Sequence, residues 1–248
     1  MSDPRMTQLN NFTQTQHGRT IPPLLNPSTS PGTLPESFTV LILGASEGIG
    51  EHISYSYGHA GASCIILCAR RPEPLSDVAL RVRDISPTIR VETHTCDTSC
   101  SSSMEALTTF IKDDIGRLDC VILNAAYAPP VTLKMHLGDP AGVQQAFDVN
   151  AMGTYHAAHF LVPVLLGTEG GAKQFIAVGS MAANIRRGDI ANMGYCVSKM
   201  AQVRMIEYLN EQYGKAEDGG LWAVIVHPGA VETSMAKGNT PESFLPRK

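Results

Sequence analysis

The chain has 248 residues, of which 43% are hydrophobic and 17% are charged, and its formal net charge is −4. These values argue against a disordered chain and against a nucleic-acid-binding protein. No apolar run approaches the ~20 residues that span a bilayer. We therefore expect a soluble, cytoplasmic protein with neither a membrane nor a nucleic acid as its partner.

The first 36 residues differ in composition from the rest of the chain. They are polar, contain six prolines and show neither helical nor strand periodicity. This composition predicts a flexible leader over 1–36 and a single domain over 37–248. The six cysteines include no Cys-x-x-Cys pair, so they are predicted to be reduced thiols packed as small hydrophobic residues, and no metal site is expected.

From Phe38 onward, short apolar runs alternate with segments of helical length. This alternation is typical of a doubly wound α/β fold, in which helices cover both faces of a parallel sheet. The predicted strands are Phe38 to Leu43, Cys64 to Ala69, Arg90 to Thr95, Cys120 to Asn124, Gln174 to Gly179 and Trp222 to His227. The predicted helices are Ile49 to His59, Pro74 to Ile85, Ser101 to Ile115, Gln144 to Leu166 and Tyr195 to Tyr213.

A glycine-rich turn, Gly44-Ala45-Ser46-Glu47-Gly48-Ile49-Gly50, connects the first predicted strand to the first helix. Glycines allow a tight turn, a close approach of the backbone to a pyrophosphate, and close packing of helix on strand. The amides at the start of the helix then face the phosphates. Glycine-rich turns after strands are common, and it is the strand, turn and helix order that favours a dinucleotide site here.

Two arginines, Arg70 and Arg71, follow the second predicted strand. An NAD-binding domain places a carboxylate there against the ribose hydroxyls. A guanidinium instead pairs with a 2′-phosphate through two charge-assisted hydrogen bonds, so this position favours NADP(H). The alternative is that both arginines are simply solvated at the end of a strand.

The order of the remaining motifs resembles the short-chain dehydrogenase/reductase family from about Phe38 to Met235. The matching motifs are Gly-x-x-x-Gly-x-Gly at Gly44, Cys96-Asp97, Asn124-Ala125-Ala126, Asn150, Ser180, Tyr195-x-x-x-Lys199, and Pro228-Gly229 with Thr233. The leader also resembles those of fungal members linked to secondary metabolism. The resemblance implies a Rossmann-type three-layer α/β/α domain and a homodimer formed by the helices at Gln144 to Leu166 and Tyr195 to Tyr213.

The resemblance also assigns site residues. Those expected to hold the dinucleotide are Gly44, Ser46, Gly48, Ile49, Gly50, Arg70, Arg71, Asp97, Asn124, Tyr195, Lys199, Pro228, Gly229 and Thr233. Those expected to act in catalysis are Ser180, Tyr195, Lys199 and Asn150. Ser180 would bind the substrate oxygen, Lys199 would also hold the nicotinamide ribose, and Asn150 would position a water that relays protons.

Tyr195 and Lys199 lie four residues apart, so on a helix they share one face. An ammonium beside the phenol favours phenolate, which a tyrosine with an ordinary pKa of about 10 needs to act as an acid or base near neutral pH. Hydride would pass between NADP(H) and a carbonyl or hydroxyl carbon of a small organic substrate while Tyr195 transfers the proton.

Three features depart from the family pattern. The connection from Ser180 to Tyr195 is enlarged at 185–189, Ala126 replaces a glycine, and only thirteen residues follow Met235. The last feature predicts a C-terminally shortened domain that lacks the final strand and substrate-covering helices, which leaves the strand at Trp222 to His227 as an edge. Either the chain is a shortened gene product, or the leader or a partner subunit supplies the cover.

The shortening motivates an alternative function. In that interpretation the chain is a catalytically weak or inactive dinucleotide-binding protein with a partner-binding or sensing role. A serine hydrolase built on Ser180 fits poorly, because 178–182 is not Gly-x-Ser-x-Gly. The apolar stripe Val197, Ala201, Met205 and Leu209 is explained by a dimer interface or equally by core packing.

Overall fold

The computed structural model describes residues 26, 27, 29, 34–132, 134–185, 192–229 and 231–235. Most of the predicted leader lies outside the described residues, as do 186–191 in the enlarged connection and 236–248 at the carboxyl end. Within the described part of the chain, no helix is both long and apolar enough to cross a membrane. All six cysteines have free thiols, as predicted.

Six parallel strands form one sheet in the described ranges, in the order β3-β2-β1-β4-β5-β6. The strands are β1 Thr39–Leu43, β2 Cys64–Ala69, β3 Arg90–Thr95, β4 Cys120–Leu123, β5 Gln174–Val178 and β6 Trp222–Val226. Each lies within one residue of its predicted bounds. The chain winds outward from β1 to β3, then crosses back to β4, so the strand order reverses beside β1. A crevice at the carboxyl ends of β1 and β4 follows from this reversal.

Helices cover both faces of the sheet. They are α1 Gly48–His59, α2 Pro72–Ile85, α3 Ser101–Phe110, α4 Pro140–Ala146, α5 Gly153–Gly167 and α6 Met193–Tyr213. Val40 and Ile42 of β1 face a core shared with α1 and α2, whereas Leu41 and Leu43 face a core shared with α3, α5 and α6. Because both faces are covered, every residue of β1 and β2 is buried.

One predicted helix is wrong in its extent. The segment predicted as a single helix from Gln144 to Leu166 is divided into α4, a π turn at Phe147–Met152, and α5. Helix α4 begins earlier than predicted because Asp139 caps it, accepting hydrogen bonds from the amides of Ala141 (3.1 Å) and Gly142 (3.0 Å). A second π turn, Ile111–Ile115, ends the predicted helix that began at Ser101. The apolar pattern continues through both π turns and does not mark them.

A buried carboxylate joins the amino ends of three strands. Asp119, directly before β4, is 1% exposed and accepts two hydrogen bonds from Arg117, both 2.7 Å long. It also accepts from the amide of Thr39 at the start of β1 (2.9 Å) and from the amide of Ala172 before β5 (3.1 Å). These four hydrogen bonds compensate the buried negative charge of the Asp119 carboxylate. The amino ends of β1, β4 and β5 are therefore held together opposite the crevice.

The turn between β1 and α1 lies against the end of β4 with no room for side chains. Gly44 has a φ of +87°, and a Cβ there would lie 2.7 Å from the amide nitrogen of Ala125. A Cβ on Gly50 would collide with the carbonyl oxygen of Gly44 and lie 2.7 Å from Nδ2 of Asn124. That Nδ2 donates a hydrogen bond of 2.8 Å to the Gly44 carbonyl. Glycine is thus required sterically at both positions.

Removal of the Asp119 carboxylate should destabilise the fold. We expect Asp119→Ala to lower the free energy of unfolding by about 3 kcal/mol, because it leaves Arg117 without its partner and two strand amides without an acceptor. Urea denaturation measures this loss. Glu92→Ala is the matched control, since it breaks an equally short but exposed pair with Arg90 (2.7 Å) and should have a much smaller effect. Equal losses in the two variants would contradict the role given to Asp119.

Two glycines of α1 should respond oppositely to alanine. We expect Gly50→Ala to lower the free energy of unfolding by about 1–3 kcal/mol, because the turn must open to admit the new methyl group. Gly58→Ala is the control: the nearest atom to its Cβ would be 3.4 Å away, and alanine favours a helix interior by about 1 kcal/mol. We therefore expect Gly58→Ala to leave stability unchanged or raise it. Urea unfolding curves that rank the two variants in the reverse order would contradict this account of the turn.

Candidate active site

The crevice predicted from the strand order is present as a cleft at the carboxyl ends of the strands. It brings together many residues that the sequence assigned to dinucleotide binding: Gly44, Ser46, Gly48, Ile49, Arg70, Arg71, Asp97, Asn124 and Thr233. Gly50 lies behind the turn, buried against Asn124. Pro228 and Gly229, which follow β6, are exposed and do not belong to the cleft lining.

The cleft offers an anion-binding surface at the amino end of α1. The helix begins at Gly48, and the side chain of its N-cap residue, Glu47, makes no capping hydrogen bond. Free first-turn amides and the helix dipole both favour a bound phosphate. The absence of a Cβ at Gly44 lets the turn pack against the end of β4, while Thr233 lies across the turn, 3.0 Å from the position of a Cβ on Gly48. The residues present therefore fit a dinucleotide pyrophosphate.

The cationic side of the cleft contains a contact that the sequence analysis missed. Arg70 and Arg71 are both exposed at the end of β2. The guanidinium of Arg71 donates a hydrogen bond to Oε1 of Glu47 (3.2 Å), and Ser234 donates to Oε2 of the same carboxylate (2.9 Å). Glu47 belongs to the glycine turn, so the turn, the end of β2 and the segment after β6 are joined at the mouth of the cleft. Glu47 lies 24 positions from Arg71 and 187 from Ser234, and no sequence pattern relates residues so far apart.

Asp97 lines the cleft beyond β3 and is held by its own turn. Its Oδ1 accepts hydrogen bonds from the amide (2.9 Å) and hydroxyl (2.7 Å) of Ser99, and its amide donates to Oγ of Ser103 (3.0 Å). These bonds fix the direction of the carboxylate and use one of its oxygens. The family resemblance implies an adenine contact, which remains a prediction for the second carboxylate oxygen of Asp97, Oδ2.

Ser180 and Tyr195 meet where β5 ends and α6 begins. Ser180 follows β5, and its side chain also accepts a hydrogen bond from the amide of Ala182 (3.1 Å). Tyr195 lies in the first turn of α6. Burial raises the pKa of its phenol, and a hydrogen bond with Ser180 partly opposes that rise. Two of the four residues predicted to act in catalysis therefore lie close enough for Ser180 to affect the ionisation of Tyr195.

Lys199 lies on the same side of α6 as Tyr195 but is directed elsewhere. Its Nζ is 5.9 Å from the centroid of the Tyr195 ring and donates hydrogen bonds of 2.9 Å to the carbonyl of Val178 and to Oε1 of Gln202. The side chain is 1% exposed, and burial lowers its pKa to about 7. The sequence predicts that Lys199 lowers the pKa of Tyr195, but in the structure without a dinucleotide burial raises it. The Lys199 ammonium is itself close to neutralisation near pH 7.

Asn150, in the π turn before α5, holds neighbouring backbone in place. Its Nδ2 donates to the carbonyl of Tyr127 (2.8 Å) and to Oγ of Ser198 (2.9 Å), and its Oδ1 accepts from the amide of Tyr127 (2.9 Å). The side chain is therefore occupied in joining the segment after β4 to α6. The expectation that Asn150 also positions a water that relays protons stays a prediction.

Comparison with known proteins gives the family. A family model described as short chain dehydrogenase matches residues 38–243. The short chain dehydrogenase pgmD of Aspergillus terreus is 32% identical over 242 residues, covering 94% of this chain and 76% of pgmD. The resemblance to the family and to its fungal members is thereby confirmed.

Solved structures show the same fold. The Pseudomonas aeruginosa RhlG/NADP active-site complex superposes with a TM-score of 0.72 at 22% identity, covering 81% of this chain and 75% of that one. A 7α-hydroxysteroid dehydrogenase complexed with NADH and 7-oxo glycochenodeoxycholic acid gives 0.72 at 21% identity, covering 83% and 76%. From the cleft and the matches together, we conclude that this chain belongs to the short-chain dehydrogenase/reductase family of oxidoreductases, which use a nicotinamide dinucleotide.

Proposed function

We propose that the protein is an NADP(H)-dependent oxidoreductase that reduces a carbonyl group of a small organic substrate, or oxidises the corresponding alcohol. The observation that carries this proposal is the meeting of Ser180 and Tyr195 at the end of β5, with Lys199 on the same helix. None of these three residues lines the cleft that fits a dinucleotide, but the cleft opens at the same carboxyl edge of the sheet, at the neighbouring strands. The proposed domain is 37–248, as the sequence predicts.

The arginines support NADP(H) over NAD(H). The fold does not choose between them, since the two similar structures described above are complexes with NADP and with NADH. The end of β2 provides the distinction, because Arg70 and Arg71 lie in the cleft wall where a carboxylate would repel a 2′-phosphate. Arg71 already has a partner in Glu47, so a 2′-phosphate would compete with that carboxylate for the guanidinium. The pair is exposed and therefore weak, which makes the exchange easy.

The dinucleotide, when bound, supplies or accepts the hydride. Tyr195 donates its phenolic proton to the substrate oxygen in the reducing direction, and the raised pKa of the phenol keeps that proton in place near neutral pH. Ser180 donates a hydrogen bond to the same oxygen. Lys199, held at the end of β5 by Val178 and Gln202, stabilises the phenolate left behind when its ammonium is charged. Asn150 keeps α6 in register with the segment after β4.

We also propose that the protein is a cytoplasmic homodimer. Support for the dimer comes from large apolar side chains exposed on α5 and α6: Tyr155 is 52% exposed, Met200 54% and Tyr208 58%. The stripe identified in the sequence is only partly available for an interface, because Leu209 is buried in the core. Core packing, and not a dimer interface, therefore explains the apolar residue at position 209.

Removal of the cleft arginines should abolish the preference for NADPH. We expect Arg70→Ala and Arg71→Ala each to raise the dissociation constant for NADPH about tenfold or more, since each removes a hydrogen bond between charged groups. The dissociation constant for NADH should stay unchanged. Titration followed by nucleotide fluorescence measures both. Arg81→Ala is the control, because Arg81 is an exposed arginine that pairs with Glu51 on α1 instead of lining the cleft. Equal weakening of NADPH and NADH would contradict a 2′-phosphate site.

Replacement of Tyr195 should separate binding from chemistry. With aliphatic, alicyclic and aromatic ketones as probes, we expect Tyr195→Phe to reduce the rate of NADPH consumption at least 100-fold. The NADPH dissociation constant should rise far less, because the cleft residues remain in place. Tyr208→Phe, on the exposed side of the same helix, is the matched control and should retain full activity. A wild-type protein that binds NADPH but consumes it with none of the probes would instead indicate the alternative function, a dinucleotide-binding protein without turnover.

A further inference from the structure

A chain of buried polar groups connects α6 to α5 below the active site. Gln202 and Thr154 are each 0% exposed, and neither was singled out by the sequence analysis. Nε2 of Gln202 donates to Oγ1 of Thr154 (3.0 Å), which donates to the backbone carbonyl of Asn150 (2.7 Å). At its other end the chain reaches Lys199, whose Nζ donates to Oε1 of Gln202 (2.9 Å). Burial of an amide and a hydroxyl among apolar residues is costly unless each group is satisfied, and here both are.

In this series of hydrogen bonds, every donor lies on the Lys199 side and every acceptor on the Asn150 side. A threonine hydroxyl has a single proton, and that of Thr154 is given to the Asn150 carbonyl. Thr154 can therefore only accept from Gln202, which requires the amide nitrogen of Gln202 to face it. The amide oxygen must then face Lys199. The orientation of the Gln202 side chain is thus fixed by its partners and places a hydrogen-bond acceptor against the lysine.

We propose that Gln202 is a positioning residue that keeps the buried Lys199 ammonium charged and fixes its orientation. This inference rests on the proposed function, in which Lys199 supports Tyr195 and the dinucleotide. An ammonium has three N–H groups. In the described part of the chain, Val178 and Gln202 accept from two of them, which leaves the third available for a further acceptor. An apolar side chain at 202 would leave the charge with a single neutral acceptor, so the neutral amine would be favoured.

The surroundings of Lys199 supply no carboxylate that could take over this task among the described residues. The titratable group that faces Lys199 is Tyr195 on the same helix. On the elements that pack against α6, the titratable groups Tyr155, His159, Glu217 and Asp218 are exposed to solvent. Three others bind elsewhere. Asp148 of the π turn accepts from Gln144, His156 of α5 contacts the Thr98 carbonyl, and His227 after β6 accepts from the Met181 amide. The lowered pKa of Lys199, caused by burial, agrees with an ammonium supported only by neutral acceptors.

The test is a direct titration of Lys199 without dinucleotide. Protein labelled with [¹³Cε]lysine is followed by NMR as a function of pH, and Lys199→Met assigns the signal. We expect Gln202→Met, which is close in volume, to lower the pKa of Lys199 by at least one unit, because a hydrogen bond to a charged group is lost. Thr154→Val, which removes the group that orients the amide, should lower it in the same direction by a smaller amount. It also serves as the test if Gln202→Met does not fold.

Thr108→Val is the matched control. Thr108 of α3 is buried, and its hydroxyl also bonds the carbonyl four residues earlier, that of Met104 (2.8 Å), but it does not contact the chain from Lys199 to Asn150. The variant should leave the pKa of Lys199 unchanged. The proposal is overturned if the pKa in Gln202→Met and Thr154→Val stays within 0.3 units of wild type, a margin of about 0.4 kcal/mol, or if Thr108→Val shifts it equally.

Failure of this inference can be told apart from failure of the proposed function. The titration needs no turnover, so an unchanged pKa in a wild type that consumes NADPH rejects only the role of Gln202. A lowered pKa in a protein that consumes no NADPH rejects the proposed reaction. If the wild type consumes NADPH and Gln202→Met lowers the pKa of Lys199, the pH profile of kcat/KM for ketone reduction should shift in that variant by the same amount as the pKa. A merely structural defect would instead reduce the rate at all pH values.

Discussion

The close approach of the ends of β1 and β4 is the constraint on which the cleft depends. The carbonyl of Leu43 accepts hydrogen bonds from the amides of Asn124 and Ala125, and the Asn124 side chain then closes on Gly44. On the other side, the amide of Gly44 is bonded to the carbonyl of Cys68 in β2. The turn is held between two strands at a spacing that excludes a Cβ. As a result, residues without side chains, Gly44 and Gly48, form part of the cleft lining.

The catalytic half of the site depends on a different pair of elements. Helix α6 brings Tyr195 and Lys199 to the end of β5, and the hydrogen bond from Lys199 to the Val178 carbonyl fastens the helix to that strand. Asn150 fastens the same helix to the segment after β4 through Ser198. The cleft is built at the end of β4 and the pair Ser180 and Tyr195 at the end of β5, which are adjacent strands of one sheet. Because β4 and β5 are neighbours, the cleft and the pair Ser180 and Tyr195 open at adjacent positions on the carboxyl edge of the sheet.

Local patterns in the sequence predicted most of the fold. Strands buried on both faces read as continuous apolar runs, and β1, β2 and β4 were found to within one residue for that reason. The motif order also predicted which residues would gather at the carboxyl edge. The π turn around Asn150 was missed because its apolar pattern is the same as that of an ordinary helix. The pairs Glu47 with Arg71 and Thr154 with Gln202 were missed because they join residues far apart in sequence, and the fold alone brings them together.

The burial of Lys199 ties the stability of the protein to proton binding. Its ammonium has an ordinary pKa of 10.5 in the unfolded chain and about 7 in the folded one, so between these values the unfolded chain holds the proton more tightly. Lys199 therefore weakens the fold at neutral pH, and this loss is recovered as the pH rises from about 7 toward 10.5. The same linkage acts on binding. A ligand whose hydroxyl groups accept from the ammonium favours its charged form, and near neutral pH such a ligand draws a proton from the solvent as it enters.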